Sequence, residues 1–155
     1  MKTMLAIMLA GLALVGIQAK ASQKPALVVA QVEVSPDYQM PSDWLANFTS
    51  RLVELLKYSQ KFAKVSGPGD APESDPAQTL HVTIVGFKKG SRALRYAVGF
   101  GAGQEKLKAT VVLDGPDGAA LFSQEFTSTT TMGLYGSKSG ETPRKLAEKI
   151  VRALP

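Results

Sequence analysis

The chain has 155 residues, of which 18 are basic and 13 acidic, and its formal net charge is +5. Without Lys2 and Lys20, which lie within residues 1–21, 16 basic residues remain against 13 acidic ones, and this surplus of three is too small to indicate nucleic-acid binding without local clustering of the charges. The sequence contains no cysteine and one histidine. This excludes disulfides, a catalytic cysteine-histidine pair and a histidine-rich metal site, so we expect neither a cofactor nor a bound metal.

Residues 1–21 have the pattern of a bacterial secretory signal peptide. Lys2 precedes an apolar stretch over residues 4–17, and Ala19-Lys20-Ala21 provides small residues at a cleavage site. An apolar run of about 14 residues is short for the roughly 20 that a membrane-spanning helix needs. Cleavage after Ala21 would leave residues 22–155 as a single domain, periplasmic or secreted, with no transmembrane span. Because no cysteine follows the apolar run, we expect a protein without a lipid anchor.

The hydrophobic pattern predicts an α+β domain with a mainly antiparallel sheet, two helices packed on one face, and the element order β-α-β-β-β-α. The first strand covers residues 26–34, and a helix follows from Ser42. Residues 62–65 are a candidate for an additional short strand. The alternation places Val28, Ala30, Val32 and Val34 on one face of the first strand.

A three-stranded antiparallel meander is predicted in the second half of the chain, after an exposed acidic loop over residues 66–78. Its strands cover residues 79–87, 106–114 and 119–131, and a Gly-Pro-Asp-Gly turn joins the last two. The alternation places Phe87 on the face opposite Ile84. Thr142 and Pro143 are expected to start the final helix as its cap and first residue.

The connection between the first two meander strands is much longer than the two to five residues of an ordinary hairpin loop. In a meander, this loop and the segment that leaves the third strand emerge at the same end of the sheet. Cations beside aromatic rings suit an anionic envelope component, a lipid headgroup surface or another protein chain. The candidate binding residues are Lys88, Lys89, Arg92, Arg95, Tyr96, Phe100, Tyr135 and Lys138.

This segment has two other interpretations, a nucleotide-binding loop and a purely structural bend. Gly99, Gly101 and Gly103 lead into a strand, whereas a dinucleotide fingerprint opens a helix, so nucleotide binding is disfavoured. The glycines can instead form a tight bend or bulge, with Arg92 and Arg95 simply solvated.

The stretch GSRALRYAVGFGAG over residues 90–103, followed by an alternating strand and by GLYG over residues 133–136, resembles the bacterial family labelled domain of unknown function 4410. The resemblance extends from about residue 27 to residue 154. It implies an exported envelope protein of α+β type, and it carries no established activity or catalytic residue. Many such proteins are lipoproteins, whereas this sequence has no cysteine to lipidate.

These features favour a non-enzymatic binding or assembly module of the cell envelope, whose partner is an envelope protein, an anionic component or a second copy of the chain. His81 is expected to be structural or simply exposed. The alternative is an envelope hydrolase or transferase acting on an anionic glycan or lipid, which requires two acidic or hydroxyl groups to converge near Arg95. In a third hypothesis, the glycine-rich segments pack on the sheet and contact no partner.

Overall fold

The computed structural model describes residues 24–40, 42–70, 76–88, 104–130 and 141–155. Within these ranges the elements are β1 (Ala26–Val29), β2 (Glu33–Val34), α1 (Ser42–Ser59), β3 (Lys64–Ser66), β4 (Ala77–Lys88), β5 (Glu105–Asp114), β6 (Ala120–Thr130) and α2 (Glu141–Ala153). The predicted signal peptide lies outside the described residues. Strand β3 reaches Ser66 and β4 begins at Ala77, so these strands include both ends of the predicted acidic loop.

The strands form one mixed sheet, in which β3, β1, β4, β5 and β6 are neighbours in that order and β2 pairs with β4. The α+β class and the antiparallel meander of β4, β5 and β6 are confirmed. The sheet is mixed rather than purely antiparallel, because β1 is parallel to both β3 and β4, and β2 is parallel to β4. The predicted element order was wrong, because in the described residues two strands precede α1 and four lie between the helices. Helix α1 carries the chain back from the end of β2 to the start of β3, and such a crossover produces parallel strands.

An extra residue divides the predicted first strand into β1 and β2. Val29 pairs with Leu80 and Glu33 pairs with Thr83, so four steps along this segment match three along β4. Since successive side chains alternate between the two faces of a sheet, the extra residue reverses the inward face. The fully buried residues of β1 are Leu27 and Val29. The prediction that Val28 and Ala30 share one face with Val32 was wrong, because Val32 is buried together with Val29.

Helix α1 has charged residues at both ends that match its dipole, Asp43 in the first turn and Lys57 in the last. The residue that follows it, Gln60, has a left-handed φ of 54°, a conformation common just after the end of a helix. Helices α1 and α2 contact each other and share one core with the sheet. The core side chains of the helices are Phe48, Leu52, Leu56, Leu146, Ala147 and Ile150. Helix α2 begins at Glu141, one residue before the predicted cap Thr142.

A tight turn joins β5 to β6 as predicted. The Gly115 N–H donates to the Ala119 carbonyl at 2.8 Å, and the Gly118 N–H donates to the Gly115 carbonyl at 2.9 Å. Gly118 has a φ of 79°, a conformation that costs an L-residue about 1–2 kcal/mol. The turn therefore fixes where β6 starts and, with it, the pairing of β6 with β5.

Ser128 of β6 gives a test of the packing. Its side chain is 1% exposed, and among the described residues its hydroxyl has no hydrogen-bond partner. Because an unpartnered buried hydroxyl costs about 1–3 kcal/mol, we expect Ser128→Ala to raise the free energy of unfolding by about 1 kcal/mol. Chemical denaturation measures this change. Ser123→Ala, at an exposed position of the same strand, should change it by less than about 0.5 kcal/mol. A loss of stability in Ser128→Ala would show that the hydroxyl is satisfied.

Candidate functional site

The register of the meander brings three strand ends together. Lys88 at the end of β4 pairs with Lys106, and Lys106 pairs with Thr129 near the end of β6. We call this end of the sheet, defined by Lys88, Lys106 and Thr129, the distal end. The chain leaves the described strands here towards residues 89–103 and towards residues 131–140.

Lys88 is the one predicted site residue that the structure describes, and it is exposed at the distal end. The other predicted site residues lie outside the described residues, so their grouping stays a prediction. They are Lys89, Arg92, Arg95, Tyr96, Phe100, Tyr135 and Lys138.

Lys88 and Lys106 form a like-charged pair across neighbouring strands. Both side chains are exposed on the face of the sheet opposite the helices, since their neighbours Phe87 and Leu107 turn towards the core. Neither lysine has an acidic partner among the described residues, whereas the next lysine on β5, Lys108, forms an ion pair with Glu125 at 2.9 Å. Like charges directly opposite each other are unfavourable in a sheet, so this pair is a local concentration of positive charge.

A β-bulge in β4 turns Phe87 into the core beside the distal end. The register shifts between Ile84 and Gly86, and Phe87 pairs with the buried Leu107. The prediction that Phe87 lies on the face opposite Ile84 was therefore wrong. The ring of Phe87 lies 6.5 Å from that of Trp44, in the first turn of α1. This contact attaches the N-terminal turn of α1 to the last residues of β4.

The N-terminus of α2 lies at the same end. Lys149 donates to the carbonyl of Thr127 at 2.8 Å, and the carbonyl of Leu154, the residue that follows the helix, accepts a hydrogen bond from Lys61 at the opposite end of the sheet. In the first turn, Lys145 pairs with Glu141 at 2.8 Å. The hydrogen bond from Lys145 holds the pKa of Glu141 below its ordinary value, so the pair loses its small contribution as the pH falls through that lowered pKa.

A groove lies between α1 and the edge of the sheet that is opposite to β6. Its volume is about 700 Å³. The lining includes Gln31 and Val32 from the segment between β1 and β2, and Leu45, Thr49 and Val53 from α1. The turn after β3 closes one side, where the side chain of Asp70 accepts a hydrogen bond from the Gly67 N–H at 2.6 Å.

His81 lies on the face of the sheet opposite the helices, and half of its side-chain surface is exposed. Its Nε2 is 3.4 Å from a carboxylate oxygen of Asp114.

In the part of the chain that the structure describes, no three His, Asp or Glu side chains group as metal ligands. Neither described helix has an apolar stretch long enough to cross a membrane.

The sequence matches the family described as Domain of unknown function (DUF4410) over residues 18–147. The chain belongs to this family. The predicted resemblance is thereby confirmed, and the match includes all of the described strands and the first half of α2. None of the curated proteins matches the sequence.

Two crystal structures of PelC from Paraburkholderia phytofirmans, both described as dodecamers, have a similar fold. One is 18% identical to this chain with a TM-score of 0.58, and it matches 82% of this chain and 86% of PelC. The other, of a variant with one substitution, is also 18% identical, with a TM-score of 0.56 over 83% of this chain and 84% of PelC. At this level of identity the likeness establishes the fold alone.

Lys106 was not among the predicted site residues. The signal that identifies it is the pairing register, because only the register places Lys106 opposite Lys88. The sequence shows which lysines face outwards, but a local pattern does not show which of them are neighbours.

The Phe87 contact can be tested through Trp44, which is the only tryptophan of the chain. We expect Phe87→Ala to lower the free energy of unfolding by about 2–3 kcal/mol and to shift the Trp44 emission to longer wavelengths, because the partly buried ring packs on the core. Val85→Ala, at the bulge and outside the core cluster, should cost less than about 1 kcal/mol and leave the emission unchanged. Equal losses in the two variants would contradict the reversal of faces at the bulge.

Proposed function

We propose that this DUF4410 protein is a non-enzymatic binding module of the bacterial cell envelope, which holds an anionic partner at its distal end. The observation that carries the proposal is the like-charged pair of Lys88 and Lys106 at adjoining strand ends. An anion seated between the two ammonium groups would offset their repulsion, and binding to the folded state stabilises that state.

The surroundings of the lysine pair support this role. Thr127 and Thr129 lie on the same face of β6, opposite Lys108 and Lys106. Ammonium and hydroxyl groups together supply charge and hydrogen-bond donors for carboxylate, sulfate or phosphate oxygens. Further cations and rings are predicted in residues 89–103 and 131–140, which connect to this end. The proposed site therefore extends from the described lysine pair into those two segments.

An envelope location is supported by the secretory pattern of residues 1–21 and by membership of the family. A second element of the proposal is self-association, which the dodecameric assembly of the similarly folded PelC supports. Several copies in one assembly would present several lysine pairs to an extended anionic partner.

The direct test reverses both charges at the distal end. We expect Lys88→Glu with Lys106→Glu to weaken binding to phosphatidylglycerol vesicles or to alginate, a soluble anionic polysaccharide, by about tenfold or more, which corresponds to about 1.4 kcal/mol. Co-sedimentation with vesicles and titration with alginate distinguish a lipid headgroup from a glycan. Because the interaction is electrostatic, binding of the unmodified protein should also fall as salt is raised.

The matched control is Lys24→Glu with Lys57→Glu, which makes the same change in net charge away from the distal end. Lys24 lies at the opposite end of the sheet, where its Nζ donates to the Gln60 carbonyl. This control should retain most of the binding. If the two double variants lost the same binding affinity, the loss would come from the change in net charge, and the distal end would not be the binding site. Unchanged binding in the distal variant would remove it as well.

A further inference from the structure

The sheet has two open edges, and they differ. On one side β6 is the last strand, and no other described strand pairs with its outer edge. On the other side β3 pairs with residues Ala26 to Val28 only, so no described strand covers the outer edge of residues 29–34. Open edges present unpaired backbone groups to any strand that can reach them.

Apart from Lys149 of α2, which donates to the Thr127 carbonyl, the β6 edge lacks the features that usually prevent pairing. Its 11 residues, ALFSQEFTSTT, include no proline, glycine, lysine or arginine. Its single charge, Glu125, is neutralised by the ion pair with Lys108. Strand β3, by contrast, has 3 residues, carries Lys64 and is followed by Gly67-Pro68. Short strands, lysines and prolines protect edges, so β6 is the edge suited to pair with another chain.

The groove beside α1 is a place for such a strand. It lies along the uncovered edge at Gln31 and Val32, and its volume of about 700 Å³ has apolar side chains of α1 on one wall. A strand added to a sheet lies about 4.8 Å from its neighbour and forms backbone hydrogen bonds along it. The groove therefore offers both an open edge and an apolar wall to an incoming strand.

The two surfaces lie at the same height in the sheet. Val34, Ile84, Ala109 and Phe126 form one row across it, and Val29, Leu80, Leu113 and Phe122 form another. Residues 122–126 of β6 are therefore level with residues 29–34. Strands β1, β2, β4 and β6 also run in the same direction, as the parallel and antiparallel pairings require. A second copy placed beside the first would thus bring β6 parallel to the uncovered edge.

Charged side chains border both surfaces. Lys145, Lys149 and Arg152 occupy one side of α2 at helical spacing, and Lys149 reaches over the β6 edge to the Thr127 carbonyl. The groove is lined by Glu54 and Lys57 on α1 and by Asp70 on the turn after β3, and Glu54 is already paired with Arg51 at 2.7 Å. When two copies lie side by side, the basic side of α2 in one copy faces Asp70 of the next.

We propose that copies of this chain associate head to tail, with the β6 edge and the basic side of α2 of one copy seated in the groove of the next. The sheet then continues from copy to copy through parallel pairing of residues 122–126 with residues 29–34. Such an interface joins two different surfaces, so it repeats into a ring or a filament. This inference rests on the self-association element of the proposed function and is independent of the lysine pair.

Because the chain has no native cysteine, an introduced cysteine is the only thiol that a cross-linking reagent can modify. Gln31→Cys introduces a thiol at the groove, and Ser123→Cys introduces one on β6; both positions are exposed. A short bifunctional thiol reagent should give a cross-linked dimer when the two variants are mixed. Neither variant alone should cross-link, because each interface joins a groove to a β6 edge. Self-cross-linking of Ser123→Cys would indicate a two-fold β6 pairing and overturn the proposal.

The control mixes Ser123→Cys with Tyr58→Cys, whose position on α1 is 77% exposed and does not line the groove. This mixture should give no dimer. Cross-linking as efficient as with Gln31→Cys would mean random collision and would overturn the proposal.

A lysine placed on the β6 edge should prevent pairing. We expect Ser123→Lys to reduce the mass measured by analytical ultracentrifugation from that of an oligomer to that of a single chain. Tyr58→Lys adds the same charge outside both surfaces and should leave the oligomer intact. An unmodified protein that is monomeric at all concentrations would overturn this inference together with the self-association element. If that protein still bound anionic vesicles or alginate, the anion-binding element of the proposed function would stand.

Discussion

The antiparallel ladder of β4, β5 and β6 is the constraint on which the rest of the molecule depends. It aligns the ends of these strands, so that Lys88, Lys106 and Thr129 lie side by side. The same ladder presents one continuous apolar face, on which α1 and α2 pack. The tight turn at Gly118 fixes the start of β6, and a slip by one residue would exchange the core and solvent faces of the strand. The core and the lysine pair are thus consequences of one register.

Two irregularities in strand pairing change which side chains face the core. The bulge between Ile84 and Gly86 turns Phe87 towards Trp44 and leaves Lys88 facing solvent. The extra residue between β1 and β2 has a similar effect on the other side of β4. Because of it, Val29 and Val32 both face the core although they are three residues apart. Without the first bulge, Phe87 would be exposed and Lys88 would point towards the helices. A bulge is therefore what makes the end of β4 both anchored and charged.

The sequence predicted the features that depend on local pattern. Period-two alternation located the meander, helical spacing located both helices, and Gly-Pro-Asp-Gly located the turn. The parallel pairings of β1 were not predictable in this way, because they join segments that are distant in the chain and similar in pattern. The bulges were missed for another reason, since one inserted residue changes the inward face without changing the composition. Lys88 was identified from its neighbours in sequence, whereas Lys106 required the register.

The two proposed surfaces are compatible because they occupy different parts of the sheet. The lysine pair lies at the strand ends on the face opposite the helices, whereas the proposed contact uses the two edges. Head-to-tail copies with parallel strands would all point their distal ends the same way. Each pair alone offers an exposed, salt-screened contact, which is weak. An array of such pairs on one side of an assembly would bind an extended polyanion far more tightly than a single copy, since each further contact is made at a high effective concentration.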